Sequence, residues 1–135
     1  MDVKLTGNMK FEPLAPSAEM RSLLEHSNRS TIILDSEYRI LWFNSRAARE
    51  MFNYFKEDLK TGNSYWDYVD QEGNKRFIRN FQSALSGRNI STEQRVLSSK
   101  SNSKEFWIDG RFSPLYDKND KIGGVVYSYT NISDV

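Results

Sequence analysis

The sequence predicts an α+β domain, an antiparallel sheet whose strands lie towards the two ends of the chain with helices between them. Three observations carry this. Phe106 to Tyr116 and Ile122 to Ile132 are long runs rich in aromatic and β-branched residues. They flank the turn formers Asp117-Lys118-Asn119-Asp120, the pattern of an antiparallel hairpin. Both runs are too long and too apolar for sheet edges, so they belong in its middle. The second observation is a helical stripe: Phe77, Ile78, Phe81, Ala84 and Leu85 fall at i, i+1, i+4, i+7 and i+8. The third is size: 135 residues, 38% hydrophobic and 13% aromatic, suit one domain with one core.

The elements follow in order. Met1 to Pro16 has no period and is interrupted by Gly7, Pro13 and Pro16, so 1–16 is expected to be a tail or extended arm. Ser17 can cap a helix running to about His26, with Met20, Leu23 and Leu24 on one face, and 17–28 is expected to flank the main domain of 29–135. Thr31 to Leu34 is a short strand ended by Asp35, Ser36-Glu37-Tyr38 turns the chain, and Arg39 to Phe43 returns it as a second strand. Asn44 opens a helix whose expected buried stripe is Ala47, Ala48, Met51 and Phe52. A helical turn is expected at Lys56 to Leu59 and another at Ser64 to Val69, separated by Gly62. The best helix starts at Glu72 or Asn74 and ends at Gly87. Ile90 to Leu97 is a third strand, Ser98 to Lys104 an exposed loop, and the hairpin closes the chain.

Both faces of the hairpin strands are apolar at Phe106-Trp107-Ile108 and at Val125-Val126-Tyr127. A sheet with one wet face would alternate cleanly. The second face is therefore expected to be covered, by the helix Ser17 to His26 or by the sheet of a partner.

Composition removes several classes of function. The net charge is +1, which gives no electrostatic reason for a nucleic-acid or membrane-surface partner. No cysteine is present, so disulfides, thiolate metal sites, a cysteine nucleophile and a cysteinyl adduct are excluded. No apolar run approaches the roughly 20 residues of a membrane span, and MDVKLTGNMKF lacks a signal-peptide apolar region. A cytoplasmic location is expected. His26 is the only histidine and precedes the first strand. Asp67, Asp70 and Glu72 are close in sequence but sit at a turn, so no metal site is expected. Glu93, Asp109 and Arg111 are polar positions within strands and are expected to face solvent. No nucleophile–base pair or carboxylate pair is evident, and no catalytic residue is assigned.

The order of elements, with particular residues, resembles the PAS family of sensor domains from about Leu23 to Ser133. Ile33-Leu34-Asp35, Arg39-Ile40 and Phe43-Asn44 are similar to the family's opening hairpin and helix cap. Ala47-Ala48 and Phe52 resemble the helix that follows, with Asn53 where many members have glycine. Glu57-Asp58-Leu59 with Gly62, Phe81 to Gly87, Glu93, Ser113-Pro114-Leu115 with Asp117 and Gly124, and Asn131-Ile132-Ser133 match further family positions in order. The resemblance implies a five-stranded antiparallel sheet with helices on one face, enclosing a pocket. It implies a non-catalytic sensor, a homodimer, and an effector in cis, a histidine kinase or similar. In the family the pocket holds haem, flavin or a small metabolite, or is packed shut. Here the long helix has no histidine and the chain no cysteine, which disfavours haem and a cysteinyl flavin and leaves an unidentified small ligand. Strand parity and helix stripes select Phe52, Leu59, Trp66, Phe77, Phe81, Ile108, Phe112, Val126 and Ser128 as pocket residues. Asn131, Ile132 and Ser133 are the expected signal output. Asn131 replaces the family's aspartate, keeping its hydrogen bonds but not its charge. The chain runs only two residues past Ser133, as expected of a fragment of a longer signalling protein. Two alternatives stay open: an interaction module with a filled core, and a small α+β enzyme of the cone-shaped isomerase or dehydratase type.

Overall fold

The protein's structure is a computed structural model that describes residues 16–98 and 105–133. Five strands, β1 (Ser30–Asp35), β2 (Ile40–Phe43), β3 (Ile90–Leu97), β4 (Glu105–Tyr116) and β5 (Ile122–Asn131), form one sheet in the order β2-β1-β5-β4-β3. Every neighbouring pair is antiparallel. β5 is central and β4 lies beside it, as their length and apolar content predict. Three helices stand between and before the strands: α1 (Ala18–Glu25), α2 (Ser45–Phe55) and α3 (Lys75–Leu85).

Local chemistry sets the boundaries. The Ser17 hydroxyl accepts from Met20 N and starts α1. In the β1–β2 turn, Asp35 Oδ1 accepts from the amides of Glu37 and Arg39, and its Oδ2 lies 2.8 Å from Arg39 Nε. Tyr38 sits there at φ 67, which turns its ring inward. Lys56 takes a left-handed conformation and ends α2, so the helical turn expected at Lys56 to Leu59 is replaced by irregular chain. The turn expected at Ser64 to Val69 is a short 3-10 piece, Tyr65–Asp67, closed by a capping box between Ser64 and Asp67. A second 3-10 piece, Glu72–Asn74, leads into α3, and Gly87 at φ 103 follows its end. Gly124 is required by packing: a Cβ there would collide with the Leu34 carbonyl oxygen where β5 pairs with β1.

The inner face of the sheet carries the main core, with α2, the 3-10 pieces and α3 packed over Ile32, Leu34, Val96, Ile108, Phe112, Val125 and Tyr127. The outer face holds a smaller cluster. Met20 and Leu24 of α1 pack there with Ile33, Leu41, Trp42, Leu115 and Val126. This covers the outer face at Val126, as the two-sided apolar strands predict, but not at Trp107, which is 48% exposed. Leu23 does not join it and is 75% exposed. The tail expected over 1–16 falls, except for Pro16, outside the described residues. So does the loop expected at 98–104, except for Ser98, which is buried and bridges Val69.

Candidate functional site

Asn44 holds together the elements around the site. Its side chain is fully buried. Oδ1 accepts from Ala47 N at 2.9 Å and Thr31 N at 3.1 Å. Nδ2 donates to the carbonyls of Leu24 and Arg29, both at 2.9 Å. One amide thus caps α2 and ties the end of α1 to the start of β1. Arg29 extends the tie across the outer face. It donates to Ser128 Oγ and to the carbonyls of Asp109 and Ser128, and its guanidinium lies 3.7 Å from the Asp109 carboxylate. Burial, then repulsion from Arg111, lowers its pKa, with Asp109 opposing.

On the inner face, α2 and the sheet enclose a small, mainly apolar cavity. It offers about 40 Å³ to the centres of water-sized molecules. A single water needs roughly 10–15 Å³ by that measure. Its apolar walls include Met51, Tyr54 and Phe55 from α2, Phe106 and Ile108 from β4, and Val96 from β3. Polar groups enter from Glu50, Tyr65, Tyr127, Tyr129 and Asn131. The Tyr65 and Tyr127 hydroxyls are hydrogen-bonded to each other. The Tyr129 hydroxyl is bonded to Ser30, whose Oγ donates to Glu50 Oε1 at 2.5 Å. Burial pushes the pKa of all three phenols up. They stay protonated and serve as hydrogen-bonding groups, not as bases.

The rest of the inner layer is solid aromatic packing. Phe77 stacks on Tyr65 at 4.7 Å and meets Phe112 and Tyr127 edge-on at 5.1 and 4.9 Å. Phe81 stacks on Tyr38 at 4.1 Å. Trp66 packs beside Tyr38 and Phe77.

Of the pocket residues expected from sequence, Ile108 lines the cavity. Leu59, Phe77, Phe81 and Phe112 are buried in the core around it, with half-buried Trp66 packed against them, and none lines it. Phe52 is 50% exposed, because α2 turns Ala47 and Met51 inward and leaves Phe52 at the solvent side. Val126 and Ser128 lie on the outer face: Val126 packs near α1, and Ser128 Oγ accepts from Arg29. The parity of β5 runs through Tyr127, Tyr129 and Asn131 instead, and a slip of one residue exchanges the faces. The polar members Glu50, Tyr65, Tyr127 and Tyr129 are not among the residues expected. Inward parity counted from Tyr127 would have found two of them.

The expected output residues leave directly from the cavity wall. Asn131 lines it, and its Oδ1 accepts from Ser133 N at 2.8 Å. Ile132 N donates to the Trp107 carbonyl, and Trp107 N donates to Ser133 Oγ. The chain's exit is thereby fastened to β4 between Phe106 and Ile108, two cavity residues. Catalytic groups do not gather here. Glu50 is the one acidic residue of the lining, and His26 sits on the outer side with Nδ1 2.8 Å from the Ser22 carbonyl oxygen. Among the described residues no group of three His, Cys, Asp or Glu could hold a metal. No described helix is long and apolar enough to cross a membrane.

A five-stranded antiparallel sheet with helices over one face, enclosing a small cavity whose wall continues into the exit strand, defines a sensor-type α+β module. The sequence profile of the PAS fold matches residues 24–135, and the chain belongs to that family, whose members are generally non-catalytic signalling sensors. No curated protein matches the chain significantly. Solved structures similar in fold include a PAS domain from Colwellia psychrerythraea, 14% identical, TM-score 0.63, matched over 87% of this chain and 97% of that one. Vibrio cholerae VqmA in complex with ligand and DNA is 11% identical, TM-score 0.65, matched over 89% of this chain and 53% of that one. A Rhodobacter sphaeroides LOV protein is 14% identical, TM-score 0.59, over 94% and 69%. The chain thus spans about half of VqmA.

Proposed function

We propose that residues 29–135 are the sensory domain, with 17–28 as its flanking helix, of a dimeric signal-transduction protein. A small ligand in the cavity alters how β5 presents the segment that follows it. The observation that carries this reading is the shared wall: Phe106, Ile108 and Asn131 line the cavity and bracket the hydrogen bonds that hold Ile132 and Ser133 to Trp107. A ligand that favours one arrangement of this wall shifts the population of exit geometries by its difference in affinity for them. An effector in cis, a histidine kinase or a comparable output domain, reads that geometry. VqmA, similar in fold, is solved with ligand and DNA, which supports ligand-controlled output without fixing its type.

The cavity favours a small, mostly apolar ligand with one or two polar atoms, placed to meet the protonated phenols of Tyr127 and Tyr129 or the Glu50 carboxylate. Native mass spectrometry of freshly purified protein, with an absorbance scan, tests this. A dimer with a reproducible added mass, lost in an Ile108→Trp variant that remains folded, is expected. A bare-chain mass, together with no thermal shift for wild type across a small-molecule panel, overturns ligand sensing. It leaves the interaction module, which the small size of the cavity favours.

A further inference from the structure

Among the described residues the sheet has one open edge, and it carries a concentrated charge. β2 is covered, because Ile40 N donates to Asn63 O and Arg39 bridges Ser64. β3, at the other end, pairs with no strand but β4 among the described residues. Leu97 shows which way β3 is turned. Its N–H donates to Asn74 Oδ1, and its carbonyl accepts from Asp70 N and Asn74 Nδ2, away from β4. By antiparallel alternation the backbone groups of Ser91, Glu93 and Arg95 also point away from β4. Beyond the weak local contact of Thr92 Oγ1 with the Glu93 carbonyl, they have no partner among the described residues. These are the free positions of an edge strand.

Cations flank this edge on both sides. A shallow groove of about 550 Å³ lies at the Arg95 end of the edge, lined by Gly73 and Asn74, by Lys75, Arg76 and Arg79 from the first turns of α3, and by Arg95 and Trp107 from the outer face. Arg76 reaches Thr92 Oγ1 at 3.2 Å, which places its guanidinium over the helix side of β3. Arg95 stands opposite Trp107 in the β3–β4 register, and Trp107 is 48% exposed. Glu72 lines the groove too, and Glu105 approaches Arg95 at 3.4 Å in an exposed pair. Lys75 and Arg79 have no ion pair among the described residues. Four cations thus gather here in a chain whose net charge is only +1.

We propose that the β3 edge docks an extended acidic segment of a partner polypeptide as a sixth strand. Backbone groups of Ser91, Glu93 and Arg95 bond its main chain. Its side chains alternate, so acidic residues on one face meet Arg76 and Arg79, while apolar residues on the other meet Trp107 and the stem of Arg95. A nucleic acid would use the same cations but has no use for the strand edge. The free backbone groups favour the peptide.

The test is fluorescence anisotropy of the full chain with a labelled seven-residue peptide of alternating Glu and Val, against its Lys and Val counterpart and a labelled oligo-dT. Binding of the acidic peptide alone is expected. Charge reversal in an R76E/R79E variant weakens it by about tenfold or more. Glu93→Pro removes a donor aimed at the open edge without removing a β3–β4 bond, and weakens binding by about fivefold. N-methylation of the peptide at alternate residues gives the same loss with the protein untouched. Equal binding of the methylated peptide overturns strand addition. Oligo-dT binding that disappears in R76E/R79E, with no peptide binding, assigns the groove to nucleic acid instead.

Discussion

The two ends of the inner layer are built from the same residue types and behave differently. At the α3 end, Tyr38, Phe81 and Phe77 stack ring on ring and Phe112 meets Phe77 edge-on, all buried or half-buried in the core. At the α2 end, Tyr54, Phe55, Phe106, Tyr127 and Tyr129 meet around a void with hydroxyls in it. Aromatic content therefore does not distinguish a core from a site. The difference lies in which rings carry oxygen and in whether a helix stripe or a strand end faces them. The packed end fixes the frame, and the hollow end is where the proposed response would take place.

The largest test of this contrast is Phe77→Ala. Phe77 is 1% exposed and touches rings at both ends. Its removal costs about 3–5 kcal/mol, a large share of the roughly 5–15 kcal/mol that holds a domain. Urea unfolding is expected to show a lower midpoint with an unchanged slope. A loss below 1 kcal/mol would mean that the packed end is not the frame. Phe81→Ala is expected to act the same way, on stability rather than on any ligand, because Phe81 stacks on Tyr38 and does not line the cavity.

Next in size is Asn44→Ala. It removes the α2 cap and leaves the Thr31 amide and the Arg29 carbonyl without the Asn44 partner, while the Leu24 carbonyl keeps its bond from Ser27 N, at about 2–3 kcal/mol. Hydrogen exchange should accelerate in α1 and α2 before α3. Uniform acceleration would break the division into a fixed and a responsive end.

How much of this was legible in the sequence follows the same divide. The stripe Phe77-Phe81-Ala84 is legible because a period of 3.6 states its own geometry, and β3 is legible from a weak apolar–polar alternation. The Asn44 cap is legible in the sequence, but its bonds to the Leu24 and Arg29 carbonyls are not, since those need the tertiary placement of α1. The cavity was misplaced by a single register step on β5, where Val125, Val126 and Tyr127 are all apolar and give no alternation to count. Phe52 failed for a related reason: apolar residues adjoin on both sides of the α2 stripe, and only packing decides which turns inward. A void has no residue of its own, so no sequence pattern announces it.

The buried phenols give the fold an alkaline pH dependence, to which Tyr38 at the packed end also contributes because burial raises its pKa. In the unfolded chain Tyr65, Tyr127 and Tyr129 ionise near the ordinary value of about 10, while burial holds them protonated to higher pH in the fold. Below pH 10 both states are protonated and stability is at its full value. Above it the unfolded state loses protons first, and stability falls by up to about 1.4 kcal/mol per pH unit for each phenol until the folded value is reached. Thermal melting from pH 8 to 11 should be flat and then fall. Tyr129→Phe should make the alkaline fall shallower. An unchanged profile would mean that the hollow end is wet enough to let Tyr129 ionise.

The smallest effect is expected where the sequence promised a pocket residue and the structure places a surface one. Phe52 is 50% exposed, with Lys56 Nζ 5.8 Å from its ring centre. Phe52→Ser forfeits that weak contact and some helix propensity, and should change stability by no more than about 0.5–1 kcal/mol. Any ligand bound by the wild type should bind the variant equally. Loss of binding in Phe52→Ser, with folding intact, would move the site from the interior of α2 to its outer side. The shared wall of Phe106, Ile108 and Asn131 could then no longer connect ligand to output.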